Sequence, residues 1–552
     1  MVYPKIPLAQ SIIEICLAKG VTDIVISPGS RNAPLTIGFA NNPHFTCYSI
    51  ADERCAAFFA TGMAQQLRKP VAVVCTSGSA LLNYYPSVAE AFYSQIPIVV
   101  ISADRPHDKI DIGDGQTIRQ ENVYANHILY SANLLEDASA ENDSKINDAI
   151  TIAASQKGPV HINAPFEEPL YETVTELSVQ AIIADAVAEE QYQQEDMAPY
   201  LSKWNAAKKK LVLVGVNYPN AIDAEIIQHL ASDPSVVVMT ETPANLYHRT
   251  FISNIDTIIT PFTQEEFEAW KPEILLTFGG MVVSKRVKAW LRNYKPQEHW
   301  HIDTLRAYDT FNALTKHFKA EPNAFLSAFL TEALKAESSY HEMAQQVKSL
   351  RKIKHNEYLA KIPFSDFKAF EIILPALPGG SQLHISNSSP IRYAQLFENK
   401  ENVEVFCNRG TSGIDGCTST AIGAAVASGK QTTLITGDIS FLYDSNALWN
   451  NYIPKDFRII IINNGGGGIF RILPGHDETP VFNTYFETAH THTAEHLAKM
   501  YGFGYQAASD EKELGSALSG FMEFSNQPKI LEVFTPMLEN DKVLLQYFKE
   551  LV

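Results

Sequence analysis

The side chains able to do chemistry stand just past apolar, β-branched runs, the positions at which an open α/β sheet binds its ligands. Gly437, Asp438, Ile439 and Ser440 follow the run at 432–436, and Asn463, Asn464 and the glycines 465 to 468 follow the run at 458–462. A carboxylate and a side-chain amide 26 positions apart, brought together from neighbouring strand ends, supply hard oxygen ligands. Such ligands suit an octahedral Mg²⁺ that also takes diphosphate oxygens, although Gly-Asp after a strand equally describes an ordinary turn. Glu53, in Ala51-Asp52-Glu53-Arg54, opens a helix after the run at 45–50; taken alone, that acidic pair complements a helix N-terminus. Cations recur at comparable places: Arg31 in Ser27-Pro28-Gly29-Ser30-Arg31, Arg105 in Asp104-Arg105-Pro106, Lys285 and Arg286 after Gly279-Gly280, Arg392 after Asn387-Ser388, and Arg409 in Asn408-Arg409-Gly410. Guanidinium forks grip carboxylates bidentately, so several at one mouth imply a substrate with more than one carboxylate.

These residues need elements to position them. The runs at 21–27, 45–50, 71–75, 97–102 and 159–164 read as buried strands, with helical spacing over 52–67 and 79–93 between them. Further strands are predicted at 211–215, 236–240, 274–278 and 299–303, then at 383–386, 403–407, 432–436, 458–462 and 529–534. This alternation predicts an α/β protein of three domains with open, mostly parallel sheets flanked by helices: 1–180, 195–345 and 363–552, the pattern of the first and third being compatible with one fold repeated. An acidic, Gln-rich stretch at 188–197 reads as a linker or exposed helix, and the charged segment at 335–361 as a solvated helix or connector. With 552 residues and a net charge of −18, the chain repels phosphate backbones and anionic lipid, so neither nucleic acid nor membrane is expected as a partner. No apolar run reaches the roughly 18 residues of a membrane span. Six cysteines without a Cys-x-x-Cys pair suit a reducing cytoplasm. His492 and His496 share helical i, i+4 spacing, but the glutamate of a His-Glu-x-x-His zinc site is not in its place, and they read as solvated or packed.

Glu53, the Thr76-Ser77-Gly78-Ser79 turn and the Asp438 and Asn464 pair occur in the order they take in the thiamine diphosphate enzymes, and the chain resembles that family. The family's diphosphate motif runs Gly-Asp-Gly, about 25 residues, then Asn-Asn; Ile439 stands here for its third glycine and Gly465 for a frequent Asn. The blocks at 27–31, 104–106, 116–120 and 408–416 and Ile469-Phe470 are similar to one branch, the carboligases of menaquinone biosynthesis, over residues 3 to about 550. The resemblance implies the thiamine diphosphate-binding fold, with Mg²⁺ or Mn²⁺ held by Asp438, the Asn464 amide and the Gly466 carbonyl. It implies that Glu53 bonds N1′ of the aminopyrimidine and that Ser77, Gly78, Gly437, Ile439 and Ser440 lie against the cofactor, as do Ser388 and Arg409. Ile414 becomes an apolar wedge beneath it, with Ile469, Phe470 and Leu473 lining the thiazolium pocket. Ser388, Arg392 and Arg409 are assigned to 2-oxoglutarate, and Ser30, Arg31, Arg105, Gln116, Lys285 and Arg286 to isochorismate. A homodimer or homotetramer follows, since the family sets the first domain of one subunit against the third of its partner. Two other readings stay open: a different thiamine diphosphate decarboxylase or carboligase, which needs fewer cations, and a non-catalytic relative, against which the joint presence of Glu53, Asp438 and Asn464 argues.

Overall fold

The computed structural model describes residues 2–184, 196–473, 475 and 477–552. Each long β-branched run is a strand buried on both faces, as a parallel sheet covered by helices requires. The first sheet contains β1 (Asp23–Ile26), β2 (Thr46–Ser49), β3 (Val71–Cys75), β4 (Ile98–Asp104), β5 (Tyr130–Asn133) and β6 (Val160–Pro165), in the order β2-β1-β3-β4-β6-β5. The middle sheet contains β7 (Lys210–Val214), β8 (Val236–Thr240), β9 (Ile274–Phe278), β10 (Glu298–Ile302) and β11 (Lys316–Phe318), in the order β8-β7-β9-β10-β11. The third contains β12 (Gln382–Ile385), β13 (Glu404–Phe406), β14 (Thr432–Gly437), β15 (Arg458–Asn463), β16 (Gly504–Ala508) and β17 (Lys529–Phe534), in the order β13-β12-β14-β15-β17-β16. All pairings in these sheets are parallel. The first and third sheets therefore share one topology. In each, the strand order reverses beside its first strand, opening a crevice beyond the strands' carboxyl ends. In the first sheet this crevice lies between Ser27–Arg31 and Thr76–Gly78, and in the third between Asn387–Arg392 and Asp438.

Several expectations need correction. The helix expected at 79–93 is two, Ala80–Asn83 and Tyr85–Ser94, because Pro86 has no amide to continue the ladder. The charged segment at 335–361 is not simply solvated. Its helix Tyr340–Leu359 buries Ala344, Arg351 and Tyr358, and packs on the helix Asn540–Glu550, where the Tyr358 hydroxyl donates to the Val543 carbonyl at 2.7 Å. His492 precedes its expected helix, which spans Glu495–Met500. Most of the stretch at 188–197 lies outside the described residues. Strands β5, β11 and β16 went unpredicted: each is a sheet edge whose half-exposed, mixed residues carry no apolar run.

The helices Glu53–Leu67 and Cys417–Ser428 join the first and third domains by a close crossing. A Cβ on Gly62 would meet the Thr420 carbonyl oxygen at 2.0 Å, and one on Gly423 the Phe59 carbonyl oxygen at 2.0 Å. Gly62→Ala is expected to cost about 1–3 kcal/mol by overpacking, read as earlier unfolding in urea. Gly515→Ala, where the new atom meets nothing within 4 Å in the helix Glu511–Phe521, is expected to be neutral or stabilising.

Burial also sets a pH profile. It lowers His161 and His384 to about 3, and His299, His301 and His355 to about 4. These five bind protons only on unfolding, so the stability they contribute is present above pH ~6.5 and is lost as the pH falls towards 4. Burial raises Asp366 and Asp444 to about 6 and Glu241 to about 7, and the stability from these protonated carboxyls is lost as the pH rises through those values. The histidines outnumber the acids below pH ~6.5. Thermal melts of the apoprotein are expected to peak near pH ~6.5 and to fall on acidification.

Candidate active site

At the carboxyl end of β14, Asp438 opens the short helix Asp438–Tyr443 and is buried. Its Oδ2 accepts from the Gly465 and Gly466 amides at 2.9 and 3.0 Å, and its Oδ1 from the Ile439 amide at 2.7 Å. Gly465 has φ +79°, and its carbonyl accepts from the His490 amide at 2.9 Å, so the glycine that stands in place of Asn is held from both sides. Asn464, also buried, donates its Nδ2 to Asp366 Oδ2 at 3.0 Å, while its Oδ1 is buried without a hydrogen-bond partner. A buried carbonyl oxygen left bare is costly in an apolar setting and is the donor that a hard cation takes. The Gly466 carbonyl accepts only a 3.0 Å bond from the Gly468 amide among the described residues, which leaves it a lone pair. The donor set thus fits a divalent ion beside a diphosphate. Ser440 Oγ donates to the Ile414 carbonyl at 2.7 Å, tying the loop at 408–416 to the first turn of that helix. Ile469 shares a small cavity with Arg392 and Asp366, and Phe470 packs beside Gly467 and the Phe486 ring.

The second group gathers where the middle domain meets the third. Asn245 of the middle domain pairs with edge strand β13 as another strand would, its Oδ1 accepting from the Val405 amide at 2.8 Å and its Nδ2 donating to the Val405 carbonyl at 2.9 Å. This docking brings the helix Lys285–Asn293 towards Arg392 and Arg409. Lys285 and Arg286 fill its first turn, with Arg286 over the Phe548 ring at 4.4 Å. Arg409 Nη1 donates to Asn387 Oδ1 at 2.7 Å; its Nε and that of Arg392 are buried without partners. Burial and then Arg409 depress the Arg392 pKa, and the same two causes depress Lys288. Ser388, at the turn from β12, has φ 73° and ψ −129°, a strained elbow just beyond the strand end.

The third group lies on the first domain. Asp52, not Glu53, caps the helix Glu53–Leu67, its Oδ1 accepting from the Cys55 amide at 3.2 Å. Glu53 is thereby free of the capping duty. Partial burial holds its carboxyl above the usual range, opposed by its own amide, while the charge of Asp52 adds to the rise. Arg31 is 3 % exposed and donates to the Phe166 carbonyl at 2.9 Å and to Glu168 Oε1 at 3.1 Å. Arg105 lies 3.7 Å from the same Glu168 oxygen and donates to the Gly115 carbonyl at 3.1 Å, next to exposed Gln116. Two guanidinium groups thus already share one carboxylate. Ser77 Oγ is buried without a partner, and Gly78, at φ +88°, donates its amide to Gln120 at 2.8 Å, with the Gln116 backbone 3.3 Å from where a Cβ would stand. Ser30 is exposed in the same turn as Arg31.

The chain matches the thiamine pyrophosphate enzyme N-terminal TPP binding domain over residues 6–125, the middle domain of thiamine pyrophosphate enzymes over 183–378, and the C-terminal TPP binding domain over 388–533. It is 67 % identical over 551 residues to the 2-succinyl-5-enolpyruvyl-6-hydroxy-3-cyclohexene-1-carboxylate synthase of Flavobacterium psychrophilum, with all of both chains covered. The synthases of Flavobacterium johnsoniae, at 65 % with full coverage, and Christiangramia forsetii, at 52 % with 99 % of both chains covered, carry the same name. The chain belongs to the 2-succinyl-5-enolpyruvyl-6-hydroxy-3-cyclohexene-1-carboxylate synthase family. That family is a branch of the thiamine diphosphate enzymes, and its members are transferases.

Within one chain, no hydrogen bond or ion pair among the described residues joins Glu53, Arg31 or Arg105 to Asp438, Asn464, Arg392 or Arg409. Sequence reasoning missed several residues that hold this candidate site together. Asn387 grips Arg409 and also donates to the Asn408 and Gly413 carbonyls at 2.6 and 2.7 Å. Asp366 turns the Asn464 amide, His490 lies 3.3 Å from Asp438, and Glu168 faces both first-domain arginines. The position of His490 beside the carboxylate is visible only once the loop folds back. Lys288, one turn beyond Lys285, carried a signal: i, i+3 spacing on one helix.

Proposed function

We propose that the chain joins 2-oxoglutarate to isochorismate with loss of carbon dioxide, giving 2-succinyl-5-enolpyruvyl-6-hydroxy-3-cyclohexene-1-carboxylate in menaquinone biosynthesis in the cytoplasm. The observation that carries this reading is the clustering of Arg286, Lys288, Arg392 and Arg409 at one domain junction in a chain of net charge −18, which suits dianionic acids. Bound thiamine diphosphate supplies the electron sink for decarboxylation and the carbon nucleophile for addition. In this reading residues 1–180 receive the aminopyrimidine and residues 363–552 the diphosphate, with the domain at 195–345 between them. Glu53 holds a proton at N1′, its partial burial shifting it towards the protonated form that the task needs. Asp438, the Asn464 Oδ1 and the Gly466 carbonyl hold Mg²⁺ or Mn²⁺, which anchors diphosphate. Ser77, Gly78, Gly437, Ile439 and Ser440 line the cofactor, Ile414 supports it from below, and Ile469, Phe470 and Leu473 keep its reactive face dry.

Ser388, Arg392 and Arg409 hold the oxoglutarate carboxylates, and Ser30, Arg31, Arg105, Gln116, Lys285 and Arg286 those of isochorismate. A homodimer, alone or paired into a homotetramer, follows in this reading from the thiamine diphosphate enzyme pattern, in which each site takes Glu53 from one subunit and Asp438 from its partner. Mass spectrometry after mixing both acids with protein, cofactor and Mg²⁺ is expected to show the adduct short of one carbon dioxide; succinic semialdehyde alone would make the protein a plain decarboxylase. Arg392→Ala and Arg409→Ala are each expected to raise the KM for 2-oxoglutarate by roughly 10- to 100-fold. Wild-type kinetics in both would remove them from the site.

A further inference from the structure

We propose that Glu241 is a positioning residue for the substrate carboxylates: from the end of β8 it ties the start of the helix Lys285–Asn293 to the end of the helix Ser389–Ala394, and so sets the spacing of the cations the two helices carry. Glu241 is 1 % exposed and stands at neither metal ligand nor cofactor motif. Its Oε1 accepts the Ser284 amide at 3.0 Å, and Ser284 is the N-cap of the first helix, its Oγ accepting from the Val287 amide at 3.1 Å. Its Oε2 accepts from Nε2 of Gln395, the C-cap of the second helix. One carboxylate thus receives a donor from each domain. Asp256 accepts from Ser284 Oγ, so the same N-cap is held from two sides.

A buried carboxylate is expensive unless bonds and charges repay it, and a packing role alone would be filled more cheaply by an apolar side chain. Here the return is geometric. Lys285, Arg286 and Lys288 follow directly from Ser284, and Arg392 lies three residues before Gln395. Arg409 and Lys288 both lie near enough to Glu241 to act on it electrostatically. Burial, with the charge of Asp256, pushes the Glu241 carboxyl up to about 7, against the Ser284 amide and the pull of Arg409.

The inference rests on the reading that these cations bind dianionic acids. In the holoenzyme, Glu241→Ala is expected to raise the KM for 2-oxoglutarate by about tenfold or more, with kcat within about threefold of wild type and the thiamine diphosphate concentration for half-activation unchanged. Glu241→Gln is expected to restore most of the loss, because its carbonyl oxygen still accepts the Ser284 amide and Gln395 can turn its own amide to match. Gln395→Leu, which removes one donor with little change of volume, is expected to shift KM in the same direction and serves if Glu241→Ala does not fold. An unchanged KM in both Glu241→Ala and Gln395→Leu overturns the proposal, as does a fall in kcat and cofactor affinity in proportion to the KM change. A wild-type enzyme that releases no carbon dioxide from 2-oxoglutarate instead overturns the substrate reading beneath it, and the two failures are told apart by that control.

Discussion

Glu53→Gln should abolish nearly all turnover, by roughly 10²- to 10⁴-fold, while leaving the fold and the cofactor affinity close to wild type. Asp52 already caps the helix, so the amide costs the helix start little. What it loses is the ability to hold and pass a proton at N1′ in a partly buried setting that favours the protonated carboxyl. The measurement is C2 proton exchange of bound thiamine diphosphate, followed by quenched-flow NMR. Exchange as fast as in wild type would falsify the role of Glu53 and leave the first domain's cations without a reaction to serve.

Asp438→Asn should weaken Mg²⁺-dependent binding of thiamine diphosphate by at least about 100-fold. One carboxylate there does two things: it receives the Gly465 and Gly466 amides that shape the glycine loop, and it presents charge to the ion. Asparagine keeps an acceptor for the loop but gives up the charge and the bond from the Ile439 amide, so the apoprotein should remain folded and melt somewhat below the wild-type temperature. A cofactor present at about 100 times its Kd stabilises the native state by about 2.7 kcal/mol; that upward shift in melting temperature with thiamine diphosphate and Mg²⁺ should vanish in the variant. A variant that keeps the full shift would place the ion elsewhere.

The central strands were legible because a strand buried on both faces must be apolar along its whole length, as Val71–Cys75 and Arg458–Asn463 nearly are. Chemistry-bearing residues were legible for a related reason, since they follow those runs directly. Edge strands Tyr130–Asn133, Lys316–Phe318 and Gly504–Ala508 were not, because one neighbour and partial exposure relax the demand for apolar residues. Asp366, Asn387 and Glu241 were equally hidden: a buried polar residue looks like any other until the partner that satisfies it is known.

Composition and local pattern determined the α/β class, the three sheets and the strand ends that bear Glu53, Asp438, Asn464 and the arginines, because burial of a strand and the turn after it are settled by residues close in the chain. Tertiary structure alone decided that Asn464 offers a bare oxygen and that Glu241 links positions 284 and 395. Those outcomes depend on distances between segments far apart in sequence, and such distances exist only after the helices have packed, as the glycine contacts at 62 and 423 show for the first and third domains.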